Sequence, residues 1–229
     1  MKKLTAYFTK GELALWGISA ALILFAFAAF DRENYLTLSA SLVGVTSLIF
    51  NAKGNPFGQG LMVLFSLLYG VISYSFSYYG EMITYLGMTM PMAVAALISW
   101  LKNPYKGNKA QVKIDRLRGR EWLLMLALTA AVTFGFYFVL KWFNTANLAL
   151  STLSVTTSFA AVYLTFRRSP YYAIAYAAND VVLIALWLLA SREEPSYLSV
   201  AVCFAAFFAN DIYGFFSWRS MGIRQAENR

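Results

Sequence analysis

The chain has 229 residues, of which 59% are hydrophobic and only 13% charged, and its formal net charge is +8. Roughly a quarter of the residues in a soluble domain are charged, so this composition excludes an ordinary soluble domain and predicts an integral membrane protein. One cysteine, Cys203, excludes an internal disulfide framework, and the sequence has no histidine. We therefore expect neither a cofactor nor an enzymatic activity.

Eight apolar segments follow one another, and most are near the roughly 20 residues that cross a bilayer. In chain order they are 13–30, 35–52, 57–79, 83–101, 122–140, 147–165, 171–190 and 196–217. The first follows a basic head, as in a signal peptide, but it is long and no clean cleavage site follows it. We interpret it as a retained span.

The basic residues predict how these spans are oriented. When the head, the loops at 51–56, 102–121 and 166–170 and the tail are placed on one side, that side collects 16 of the 19 Lys and Arg residues. Such an asymmetry is typical of cytoplasmic loops. It predicts a multi-pass protein with both termini cytoplasmic, whose partner is the lipid bilayer and not a nucleic acid.

Two stretches of the chain resemble each other. Each opens with a Ser/Thr-rich span and ends at a tryptophan; Pro56 and Pro170 are 114 residues apart, and Trp100 and Trp218 are 118 apart. With one span between them the two repeats are parallel, an arrangement found in transporters that bind substrate near mid-membrane.

We therefore predict an all-α fold in which two parallel triple-helix bundles are joined by a linker helix (3-1-3), with one extra N-terminal helix. The predicted parts are the head with the extra helix (1–34), the first bundle (35–101), the basic loop with the linker helix (102–146), the second bundle (147–218) and the tail (219–229).

The triplet Ala-Asn-Asp occurs twice inside apolar spans, ending at Asp180 and at Asp211. An ionisable group at membrane depth costs roughly 2.5 to 3.5 kcal/mol, so each aspartate is a functional hypothesis. Helical spacing puts Tyr176, Asn179, Asp180 and Trp187 on one stripe. Aromatic rings around an amide and a carboxylate suit a flat heterocycle that carries a sugar. A structural role, capping a broken helix or bonding a neighbouring span, stays open for both aspartates.

The repeat places Ser66 opposite Asp180 and Ala93 opposite Asp211, so the second bundle supplies the carboxylates. In the first bundle Pro91 predicts a kink. The candidate substrate-binding residues are Tyr176, Asn179, Asp180, Trp187, Asn210, Asp211, Tyr213, Tyr85 and Thr89.

Several short motifs between about residues 35 and 220 are similar to those of the Pnu vitamin transporter family. They are Phe50-Asn51-Ala52-Lys53-Gly54, Tyr79-Gly80-Glu81, Pro91-Met92, Trp100 and Asn210-x-x-Tyr213-Gly214-x-x-x-Trp218. The resemblance implies facilitated diffusion of a nucleoside-like vitamin such as nicotinamide riboside across the bacterial cytoplasmic membrane. It also implies trapping by a cytoplasmic kinase, a fold similar to SWEET sugar transporters, and a homotrimer.

Several positions depart from the pattern of the riboside carriers. Tyr85 stands in place of an Asn and Ala93 in place of a Gln. Ala173 and Tyr176 stand in place of the two residues of a Trp-x-x-Trp, and Asp180 in place of the Asn that follows it, while Asn210 matches. These departures indicate a changed specificity, so a sister branch proposed for deoxyribonucleosides is a second candidate.

Other functions stay open as alternatives. The first is a thiamine- or riboflavin-type vitamin transporter, and the second is a proton-coupled nucleoside symporter that uses an aspartate as carrier. The third is an intramembrane aspartyl protease, whose chemistry needs two membrane aspartates. The Gly-x-Gly-Asp signature of that class is replaced here by Ala-Asn-Asp.

Overall fold

The computed structural model of the chain describes residues 7–75 and 79–228, so Lys2 and Lys3 of the basic head lie outside the described residues. Within that part, eight helices are long and apolar enough to cross a membrane, as predicted. They are α1 (Lys10–Phe30), α2 (Tyr35–Ala52), α3 (Pro56–Ser75), α4 (Tyr79–Lys102), α5 (Gly119–Trp142), α6 (Leu148–Phe166), α7 (Tyr172–Ala190) and α8 (Leu198–Glu227).

Two short elements complete the described secondary structure. A 3-10 helix, Pro195–Tyr197, leads into α8, and an antiparallel hairpin of β1 (Pro104–Tyr105) and β2 (Asn108–Val112) follows α4. Helix α8 continues to Glu227, ten residues beyond the predicted end of the span at 217. Its last turns bury Gln225 against the hairpin, and this contact favours helix where hydropathy alone predicts a tail.

Six of the helices form a closed ring. Around it, α2 packs on α3, α3 on α4, α4 on α6, α6 on α7, α7 on α8, and α8 on α2. Helix α5 packs outside on α6, and α1 packs outside on α2 and α8. We name the end at which α2, α4, α6 and α8 finish the basic end, and the opposite end the acidic end. The repeats α2–α4 and α6–α8 each supply half of the ring.

The tryptophans that end the repeats join the two halves at the basic end. The indole N–H of Trp100 donates to the carbonyl of Thr165 at 2.9 Å, and that of Trp218 donates to the carbonyl of Asn51 at 2.7 Å. The hydroxyl of Ser99 donates to the carbonyl of Phe166 at 3.0 Å, and that of Ser217 donates to the carbonyl of Ala52 at 2.7 Å. Both rings are fully buried, with centroids 5.2 Å apart. Each repeat therefore holds the other by the same contacts.

A similar ion pair outside the ring also occurs after the first helix of each repeat. Lys53, after α2, pairs with Glu12 at 3.2 Å, and Arg167, 114 residues later after α6, pairs with Glu121 at 2.6 Å. Each glutamate lies in the first turn of its helix and accepts from the N–H of the residue that caps it. The starts of α1 and α5 are thus held to the ring by similar ion pairs.

The predicted kink near Pro91 takes the form of a π-helical turn at Tyr85–Thr89. The N–H of Met90 donates to the carbonyl of Tyr85, five residues back. Pro91 has no N–H, so regular α-helical bonding is interrupted at this point. π-Turns inside α-helices are frequent at functional sites, and this one sets the direction in which Tyr85 points.

Candidate functional site

The two predicted aspartates meet at the middle of the ring. Asp180 on α7 and Asp211 on α8 are 3% and 4% exposed, and their carboxyl groups are close enough to interact with each other. The Oδ2 atom of Asp180 is buried, and no donor from the described residues reaches it. Carboxylates offer only acceptors, so this place suits a donor: a proton, or the N–H and O–H groups of a ligand.

Two tyrosines flank the carboxyl pair from different helices. Tyr85 on α4 and Tyr176 on α7 are close enough to Asp180 to interact with it electrostatically, and Tyr176 also interacts with Asp211. Because α4 belongs to the first repeat and α7 to the second, the pair lies where the two halves face each other. The structure therefore brings together Tyr85, Tyr176, Asp180 and Asp211 of the predicted set.

An aromatic cluster fills the ring between this centre and the acidic end. The Tyr69 ring lies 4.5 Å from that of Tyr85 and 6.3 Å from that of Trp187, and Phe65 lies 6.0 Å from Tyr85, all between centroids. Phe204 and the Phe207 ring complete it, with the Phe207 centroid 5.6 Å from Phe65. Aromatic side chains of both repeats therefore pack against one another on the acidic side of the centre.

The sequence did not single out Tyr69, Phe65, Phe204 or Phe207. A signal for Tyr69 exists, because it lies three residues after Ser66, which the repeat pairs with Asp180. Residues at that spacing share a helix face, so Tyr69 points to the same interior. The two phenylalanines of α8 carry no such signal, since aromatic residues are common throughout the spans.

Asn179 points sideways from the centre toward α6. Its Oδ1 atom accepts from the hydroxyls of Thr157 at 2.8 Å and Ser158 at 3.1 Å. These bonds use residues of the Ser/Thr-rich span that opens the second repeat. Asn179 thus fixes α7 against α6, and its contact with substrate stays a prediction.

Asn210 and Tyr213 point from α8 toward α1. Asn210 donates from Nδ2 to the Ser19 hydroxyl and to the Ala206 carbonyl, both at 2.8 Å, and the Tyr213 hydroxyl donates to Glu12 at 2.9 Å. The Oδ1 atom of Asn210 is buried, and no described donor reaches it. Both residues join α1 to the ring, and their binding roles stay predictions.

Thr89 is the last residue of the π-turn and is buried. The described part of the chain has no group of three or more His, Cys, Asp or Glu side chains that would hold a metal ion. The polar groups gathered at this centre are carboxyl groups and the hydroxyls of tyrosines.

The basic end of the ring is closed by a second aromatic group. The Tyr172 ring lies 4.8 Å from Trp218 and 6.2 Å from Tyr176, and the Trp100 ring lies against Trp218. The carboxyl pair is thus separated from both ends by aromatic layers. The centre is therefore a buried polar site between two groups of aromatic side chains.

Comparisons with known proteins agree with this arrangement. The chain is 26% identical to the nicotinamide riboside transporter PnuC of Neisseria mucosa over 205 residues, which make up 86% of this chain and 76% of that protein. It is 20% identical to the nicotinamide riboside transporter PnuC of Haemophilus influenzae over 190 residues, 82% of this chain and 81% of that protein.

The fold is similar to the crystal structure of the vitamin B3 transporter PnuC, with a TM-score of 0.82 and 23% sequence identity over 95% of this chain and 94% of that one. A family model described as nicotinamide mononucleotide transporter matches residues 34–220, which include α2 to α7 and most of α8. The resemblance to Pnu-type transporters is confirmed, and this chain belongs to the nicotinamide mononucleotide transporter family of membrane transporters.

Proposed function

We propose that this transporter carries nicotinamide riboside or a closely related nucleoside-like compound through the ring by facilitated diffusion. The observation that carries the proposal is the buried pair of Asp180 and Asp211 between Tyr85 and Tyr176. The two curated relatives described above are nicotinamide riboside carriers, which supports the substrate class.

Each part of such a ligand has a matching group in the centre. An ionised carboxylate attracts a cationic pyridinium ring, and the carboxyl oxygens of Asp180 and Asp211 accept hydrogen bonds from ribose hydroxyls. The rings of Tyr85, Tyr176 and Trp187 offer faces for stacking. A neutral deoxyribonucleoside would use the same oxygens as acceptors for a base N–H.

We assign the outer candidates supporting roles in the same site. Asn210 offers its buried Oδ1 atom as an acceptor, and Asn179 retains its amide N–H groups as donors. Thr89 supports Tyr85 through the π-turn, and Tyr213 fixes Glu12 and thereby α1. Asn210 is also the contact that matches the riboside pattern.

Uptake into vesicles tests the proposal. Purified protein in liposomes is expected to take up labelled nicotinamide riboside, with unlabelled riboside competing better than thymidine or deoxyadenosine. The opposite order of competition would assign the chain to the deoxyribonucleoside branch. Absence of uptake for all three, with thiamine and riboflavin also inactive, would refute a nucleoside or vitamin carrier.

The contact between two carboxyl groups favours one further function, coupling to protons, because such a pair offers a place for a proton. Facilitated diffusion stops when internal and external concentrations are equal. Accumulation beyond that point, abolished by a protonophore, would establish the symporter instead.

We further propose that the basic end faces the cytoplasm of a bacterial cell, that a kinase traps the product, and that the protein is a homotrimer. Labelling of cysteines introduced at Lys109 and Glu193 with an impermeant reagent tests the orientation. Loss of cellular retention in a kinase-deficient strain tests trapping, and native mass spectrometry gives the number of subunits.

A further inference from the structure

A short segment crosses the basic end of the ring, and we name it the strap (residues 112–115). At one side the N–H of Val112 donates to the carbonyl of Gly54 at 2.9 Å, and at the other the N–H of Asp115 donates to the carbonyl of Arg168 at 3.1 Å. Gly54 and Arg168 are 114 residues apart and have φ values of +67° and +56°, so they occupy the same turn of the two repeats. The strap therefore bridges equivalent points of both halves.

The strap also covers the tryptophans. Val112 is fully buried and Ile114 is 7% exposed, and both belong to the apolar cluster that contains Trp100, Trp218 and Met221. The strap lies on the basic side of the aromatic layer at that end. A substrate leaving the centre at the basic end must therefore pass both the tryptophans and the strap.

Gln225 on α8 holds the strap in its extended form. Its side chain accepts from the N–H of Ile114 at 2.9 Å and donates to the carbonyl of Val112 at 3.0 Å. These are the two bonds that a neighbouring strand would make, supplied here by one buried amide. Without them both backbone groups would be buried with no partner, which disfavours the extended strap.

The length of the strap limits how far the two halves can separate. Val112 and Asp115 are three residues apart, and an extended chain spans at most about 3.6 Å per residue, or roughly 11 Å here. The turns at Gly54 and Arg168 cannot move further apart while both end bonds remain. Opening of the basic end therefore requires that the strap lets go at one side.

The strap is attached to each repeat by more than one contact. Besides its backbone bond, Asp115 pairs with Arg167 at 3.4 Å and with Arg168 at 3.3 Å, and Gln225 belongs to α8 of the second repeat. On the first repeat, the Val112–Gly54 bond and the packing of the Val112 side chain on Gly54 are joined by a bond from the N–H of Lys113 to the carbonyl of Asn103, directly after α4, at 2.8 Å.

We propose that the strap is the gate of the basic end and that Gln225 is the positioning residue that keeps it closed. The role of this gate in a transport cycle rests on the proposed function, whereas the closure of the basic end by the strap does not. When Gln225 releases the strap, the attachment of the strap to the second repeat is weakened, and the strap lets go there as the basic end opens.

Hydrogen–deuterium exchange of the full-length protein in detergent tests the closure without any substrate. In Gln225→Ala the amides of residues 112–115 are expected to exchange roughly tenfold faster, because two neutral hydrogen bonds are lost. Gln225→Glu keeps an acceptor for Ile114 but loses the donor for Val112, so an intermediate rate is expected. Asn228→Ala is the matched control: Asn228 is one turn further on, and its side chain bonds only the Arg224 carbonyl.

Transport kinetics test the gate. With labelled nicotinamide riboside presented at the acidic end, Gln225→Ala is expected to raise KM roughly twofold or more without lowering the maximal rate, because fewer molecules are closed at the basic end. A merely structural role would lower the maximal rate and leave KM unchanged.

Two outcomes would overturn the proposal: unchanged exchange of the strap in Gln225→Ala, or faster exchange with wild-type kinetics. If the wild-type protein moves no nucleoside at all, the proposed function fails, and the exchange experiment still decides whether Gln225 holds the strap closed.

Discussion

At the basic end of the ring, the tryptophan bonds of one repeat have counterparts in the other, whereas the centre contains residues that differ between the repeats. The bonds of Trp100 and Trp218 match, but Asp180 and Asp211 correspond to Ser66 and Ala93. Contacts that join two similar halves serve both halves equally. A ligand without two-fold symmetry needs different groups on its two sides. The residues that the two repeats contribute to the centre are therefore expected to differ.

The largest expected effect is at the centre. Asp180→Ala should lower binding of nicotinamide riboside by about 100-fold, because hydrogen bonds to a charged group contribute about 1.5 to 3 kcal/mol each. Isothermal titration with the purified protein measures this loss. Ser66→Ala is the matched control, since Ser66 occupies the equivalent position and its hydroxyl donates to the Met62 carbonyl of its own helix. Equal losses for both variants would contradict a centre that differs between repeats.

A second variant tests the aromatic cluster where the repeats touch. A Cβ atom at Gly44 on α2 would overlap the Phe207 ring, which must then move within the cluster. Gly44→Ala is expected to lower the rate of uptake about tenfold, since overpacking costs about 1 to 3 kcal/mol. Gly60→Ala, where a Cβ meets no neighbour within 4 Å, should transport normally. A normal rate for Gly44→Ala would remove Phe207 from the transport path.

The equivalent bonds of Trp100 and Trp218 should contribute equally to the free energy of unfolding. Trp100→Phe and Trp218→Phe each remove one indole N–H bond to a carbonyl, which is expected to cost about 1 to 2 kcal/mol. Thermal unfolding in detergent should therefore show two decreases in Tm that are equal within error. A clear difference between the two variants would show that the basic end is not energetically symmetric.

The smallest effects are expected at the ion pairs outside the ring. Lys53→Met and Arg167→Met should each lower stability by about 1 kcal/mol or less, because both cations are partly exposed. Burial alone would lower the pKa of the Arg167 guanidinium, but its hydrogen bond with Glu121 and the nearby carboxylates hold that pKa above its usual value. Substitution, and not a change of pH, is therefore the way to remove this charge. A much larger loss for Lys53→Met would mean that Glu12 depends on Lys53 alone.

Hydropathy and spacing were sufficient to predict the scaffold. Eight apolar runs predicted the eight spans of the described residues, and the distances between the prolines and tryptophans predicted a repeat with which the matching bonds of Trp100 and Trp218 agree. Helical spacing also placed Tyr176 with Asp180. These features depend on the residues within one helix or on the order of the helices along the chain, so a single sequence is enough to predict them.

The neighbours of each helix were harder to predict. Asn210 and Asp211 are adjacent, yet one points to α1 and the other to the centre, which depends on where α1 packs. Gln225 lies beyond the predicted span, so hydropathy gives no reason to select it. Its role depends on a strap whose sequence is more than 100 residues away.

The ion pair of Glu12 has a consequence for how such a protein can arise. If α1 is the counterpart of α5, the repeated unit has four helices and both of its ends lie on the same side of the membrane. Two copies of that unit joined end to end, as after a gene duplication, are inserted in the same orientation. No additional helix has to be acquired to keep them parallel.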